Sequence, residues 1–114
     1  MPGTLRLHTQ QTVIMANGGV TSAAIDIRGA QAGAWVTPAT FEETTVKYQG
    51  GQGVGDTFVD IYDATSALVS SATVAAAHAV TFPSQVFAFP WIKIVGTVGG
   101  NVAADRTITV FLAA

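Results

Sequence analysis

Apolar and polar positions alternate with period two along most of the chain. In Thr107-Ile108-Thr109-Val110-Phe111-Leu112 the Ile, Val and Leu share one face and the threonines take the other. Ile92 and Ile94 oppose Lys93, Ile25 and Ile27 alternate with Asp26 and Arg28, and Val46 and Tyr48 alternate with Thr45 and Lys47. Leu5 and Leu7 alternate with Arg6 and His8 in the same way. Each run predicts a half-buried strand with one face on a core. Further strands are expected over 12–16, 33–37, 57–63, 67–74 and 78–82. Ser66 to Val80 is rich in alanine, which favours a helix. Leu68, Val74, Val80 and Phe82 nevertheless share a parity, and the serines, threonines and valines are poor helix formers, so a hairpin is expected there.

Turn chemistry separates these runs. Asn17-Gly18-Gly19 and Gly99-Gly100-Asn101 tolerate positive φ, while Gly29, Pro38 and the Gly50-Gly51-Gln52-Gly53-Val54-Gly55 run punctuate the middle. Many short strands with this punctuation predict an all-β, single-domain antiparallel β-sandwich of jelly-roll type over residues 1–114. Residues 1–22 are expected as an N-terminal arm or edge strands. No linker, charge block or fixed-period repeat divides the chain.

Composition narrows the function classes. Only 11% of the 114 residues are charged, against about 25% in an average domain. High hydrophobicity with low net charge excludes an intrinsically disordered chain. The formal net charge of −2 and the lack of a basic cluster argue against nucleic acid as a partner. Residues 64–92 carry no charge, but Pro83, Pro90, His78 and several serines and threonines interrupt them, so no membrane-spanning helix is expected. No apolar stretch follows Arg6, so no cleaved signal peptide is expected. Without cysteine there is no disulfide or thiolate chemistry.

Tests for catalysis and cofactors return little. His8 and His78 read as surface or turn residues, and no serine sits in a Gly-x-Ser-x-Gly elbow. Asp56 and Asp60 would lie about 13 Å apart on one strand face, with Asp63 on the other, too far apart for one cation. Asp63 reads as a turn residue, and the adjacent Glu42 and Glu43 diverge. The glycine run leads into a strand rather than a helix, so it lacks the N-terminal amides of a phosphate loop. These residues predict no enzyme, no metal and no cofactor.

What remains points to contacts. Between Phe82 and Trp91, two prolines bracket Phe87 and Phe89. Two readings stand: an aromatic lid over the open end of the sandwich, or a contact patch, since aromatics are enriched at interface cores. In strand 33–37 the parity of Ala34 and Val36 leaves Trp35 facing outward, toward protein or sugar. Gly51 and Gly53 fall in a mobile hairpin tip suited to ordering against a neighbour. The expected interface residues are therefore Trp35, Phe87, Phe89, Trp91, Gly51 and Gly53.

Several stretches resemble a family of small β-rich structural proteins of tailed bacteriophages. They are Ala24-Ile25-Asp26-Ile27-Arg28-Gly29-Ala30, Val36-Thr37-Pro38-Ala39, Thr45-Val46-Lys47-Tyr48-Gln49, Thr57-Phe58-Val59-Asp60-Ile61-Tyr62-Asp63 and Ala103-Ala104-Asp105-Arg106-Thr107-Ile108-Thr109-Val110. Such proteins usually carry a Ser/Asp-Gly turn before the Thr-Phe strand, where this chain has the longer glycine run. The resemblance implies a virion protein on the outer surface of the capsid, made in the host cytoplasm. Its implied role is that of a decoration (cement) protein bound to the major capsid protein. A charge-poor surface suits burial against partners, and small size favours self-association, so a homo-oligomer is expected, a cyclic trimer foremost. The competing expectation is a carbohydrate- or receptor-binding module of a tail fibre, using Trp35 or Trp91 to stack on sugars.

Overall fold

The computed structural model describes residues 8–114. Nine strands form two antiparallel sheets. They are β1 (His8–Met15), β2 (Ile25–Asp26), β3 (Ala32–Val36), β4 (Thr45–Gly51), β5 (Val59–Asp60), β6 (Ser70–Ser71), β7 (Ala79–Thr81), β8 (Trp91–Val98) and β9 (Arg106–Ala113). One sheet runs β1-β9-β3-β7 and the other β2-β8-β4-β5, with β6 also on β4. This is the expected all-β sandwich. The alternating run over 5–8 lies outside the described residues apart from His8, which opens β1.

The core follows from the period-two pattern. Val13 and Met15 of β1, Ile108, Val110 and Leu112 of β9, Val46 and Tyr48 of β4, and Ile92 and Ile94 of β8 are all buried. Two glycines are required by close approach. A side chain at Gly33 would collide with Phe111 O and Leu112, and one at Gly50 would enter the Phe89 ring.

Three expectations need correction. The 66–80 segment is no hairpin: β6 pairs with β4 in one sheet and β7 with β3 in the other. Left-handed turns at Thr73 (φ 57°) and Ala77 (φ 56°) carry the chain across, and Val74 plugs into the core between them. The 57–63 run is not one continuous strand: it pairs with β4 at Val59 and Asp60, Ile61 N–H donates to Tyr48 O, and Tyr62 then bridges to Leu68. Trp35 points inward, not outward.

The reason for the inward tryptophan is its neighbours. Trp35 lies opposite Val110 on one side and Val80 on the other, in the row that faces the core. Ala34 and Val36 are small enough to sit on the outer face, so the bulkiest apolar group decides the parity. Its Nε1–H donates to Tyr48 Oη at 3.1 Å, and that hydroxyl lies 2.7 Å from Ser71 Oγ. Burial pushes the Tyr48 hydroxyl pKa upward.

Candidate interaction surface

The two outer faces of the sandwich have opposite character. On the β1-β9-β3-β7 sheet, Gln10, Phe111, Ala34 and Thr81 form one row across four strands. Thr12, Thr109, Val36 and Ala79 form the next, flanked by the Ile14–Thr107 pair. None of these side chains is charged, and Ile14 and Phe111 are 47% and 42% exposed. The one charged residue in these strands, Arg106, sits at the start of β9 and turns to Glu42, with Nη2 2.6 Å from Oε2.

The β2-β8-β4-β5 sheet collects the charges instead. Lys93, Gln49 and Asp60 form one outer row, and Asp26, Trp91 and Gly51 another. Lys47 Nζ lies 2.9 Å from Asp60, which also accepts from Gln49 Nε2. The Gln49 hydrogen bond first, then Lys47, hold the Asp60 carboxyl below its usual range. Arg28 grips Asp26 at 2.7 Å and lies over the Trp91 ring, while Lys93 lies over Phe58. Two ion pairs and Lys93, which has no carboxylate partner among the described residues, make that face charged. Charge segregation of this kind leaves one face suited to solvent and the other to a dry contact.

The six expected interface residues do not form one patch. Trp35 is in the core. Phe87 and Phe89 are half-buried and pack against the core. Phe87 stands edge-on to Phe82 at 6.1 Å, and Phe82 in turn to Tyr48 at 5.9 Å. A 3₁₀ turn over Ser84–Ala88 drops Val86 into the core, with Phe87 and Phe89 packed against it. Gly51 is buried at the end of β4, opposite Trp91 and beneath Phe58, so it is not part of the hairpin tip. Gly53 lies beyond it, beside the Asp56 carboxylate. Trp91 is half-buried under Arg28.

Two features escape a reading of the residues alone. The chargeless face is invisible until register brings four distant segments together. Glu43 is the other: it is 1% exposed and neither carboxylate oxygen has a hydrogen-bond partner among the described residues. Its carboxylate fills the space left by the missing side chain of Gly96. Burial first, then the neighbouring Glu42 charge, push its pKa upward. Glu42 goes the other way, to about 2, through its hydrogen bonds from Arg106 and the Ala103 amide. Asp63, as expected, closes a turn, accepting from Thr65 and the Ala67 amide.

Fold and surface together define a small β-sandwich with one uncharged outer sheet face and one charged one. No protein-family model matches the chain, and no curated protein does. Among solved structures, the crystal structure of the SPBc2 prophage-derived protein YomS aligns with a TM-score of 0.65. The alignment covers 100% of this chain and 99% of that one, at 10% identity. At that identity the likeness is one of fold.

Proposed function

We propose that this chain is a structural protein of a tailed-phage particle, a decoration (cement) protein that binds the major capsid protein on the outer surface of the head. In this reading it acts by contact rather than catalysis, and it associates with copies of itself. The observation that carries the reading is the chargeless outer face of the β1-β9-β3-β7 sheet set against a charged opposite face. A protein that must seat one side on a shell and present the other to water needs that asymmetry. The fold shared with a prophage-derived protein and the sequence resemblance support the phage setting. The carbohydrate-binding alternative is weaker, because Trp35 is buried and Trp91 already carries Arg28 on its ring.

The test is cosedimentation with undecorated heads. Wild-type protein is expected to bind in hundreds of copies per particle. Thr109→Lys with Ala79→Lys, which place charge on the uncharged face, should abolish binding. Ser70→Lys on the opposite sheet should leave it intact. Binding that survives the double substitution, or binding to a glycan array in place of heads, would overturn the proposal.

A further inference from the structure

The four sheet edges are unequal. Three are blunted by brevity: β7 has three residues, and β2 and β5 have two each. The fourth, β1, has eight, from His8 to Met15. Long edges are normally protected by lysine, proline or a bulge. β1 has no charged residue and no proline, and its pairing with β9 runs unbroken in register.

Which backbone groups face outward follows from one hydrogen bond. The Ala23 amide donates to Ile14 O, so Ile14 turns its backbone away from β9. Because a strand alternates, His8, Gln10 and Thr12 turn theirs the same way. Among the described residues, no backbone group outside the β1–β9 ladder pairs with His8 through Thr12. That leaves three amides and three carbonyls in line on an open edge, with Gln10 at the centre.

We infer that this edge pairs with the same edge of a second copy. With Gln10 opposite the partner copy's Gln10, His8 falls opposite Thr12, and Thr12 opposite His8. Every free amide then meets a free carbonyl, giving six hydrogen bonds across a two-fold axis perpendicular to the sheet. Pairing stops where the Ala23 amide already occupies Ile14. The uncharged β1 puts no like charges opposite one another. A heterologous ring closed through this edge would have to pair β1 with an edge of two or three residues, which satisfies fewer groups.

The two-fold product is one continuous eight-stranded sheet. Its outer faces lie on the same side, so the uncharged surface doubles. The inference takes up the self-association in the preceding reading, yet it rests on β1 alone and is tested without heads. Its failure therefore leaves head binding to be judged separately.

The experiment is sedimentation equilibrium on wild type, Gln10→Lys and Gln10→Glu. Wild type is expected at twice the 11.7 kDa chain mass. Each variant should be monomeric with an unchanged circular dichroism spectrum, because Gln10 is exposed and lies outside the core. Mixing the two variants should restore the dimer. Hydrogen exchange supplies a second readout: the Gln10 and Thr12 amides should be protected in wild type and unprotected in Gln10→Lys, while Gln11 and Val13 stay protected in both. A monomeric or trimeric wild type, or a dimeric Gln10→Lys, would overturn the inference.

Discussion

Replacing Glu43 by methionine is expected to stabilise the protein, by an amount that depends on pH in a defined direction. Methionine keeps the length of the side chain and removes two buried oxygens without partners. A buried polar group left unsatisfied costs about 1–3 kcal/mol, and more when charged. The carboxyl's pKa is raised by burial, so below about pH 4.5 it is protonated in both folded and unfolded chains, and only the neutral cost applies. Above that, the unfolded chain releases the proton and the folded one retains it. Stability of the wild type therefore falls as pH rises toward the folded pKa, by up to about 1.4 kcal/mol per unit. The methionine variant lacks this slope. Thermal melts of both proteins at pH 4 and pH 7 give the answer, since each kcal/mol moves the midpoint by about 4 °C in a domain near this size. The variant should melt higher at both values, with a gap that widens at pH 7. A gap that is constant or shrinks with rising pH would refute the reasoning.

Three further outcomes follow from the same geometry. Glu42, with its pKa near 2, contributes stability that is present above about pH 4.5 and lost as pH falls through 2; Glu42→Gln should flatten the acid limb of the melting profile, the opposite end from Glu43. Trp91→Phe leaves Trp35 as the sole tryptophan, and its emission should be blue-shifted and resist acrylamide. Adding Tyr48→Phe, which strands the Trp35 Nε1 donor, should cost about 1–3 kcal/mol.

Much of the fold was legible because burial in a sandwich imposes a period of two, which β9 carries from Arg106 to Leu112 and β8 carries as far as Ile94, before Val95 is buried beside it. The 66–80 segment was not, since nothing local distinguishes a turn between paired strands from a crossing between sheets. Val74 fits either reading until the Thr44 carbonyl that its amide meets is in place. Trp35 was misassigned because Gly33, Ala34 and Val36 are all small enough for either face. Only the facing rows from β9 and β7 break the tie. The aromatic segment was recognised, but Phe89 can turn inward only because Gly50, 39 residues away in sequence, leaves room for its ring.

By itself the sequence determined the fold class, the turn at Asp63 and the scarcity of charge, because each is a local or compositional property. Where the twelve charges would go was decided by tertiary structure. Register set Lys47 beside Asp60 and Lys93 over Phe58 on one sheet, and folded Glu42 onto Arg106 at the end of the other. The uncharged face and the open edge of β1 exist only once β1, β9, β3 and β7, drawn from both ends and the middle of the chain, lie side by side. A contact surface assembled from alternate residues of four distant strands has no contiguous motif.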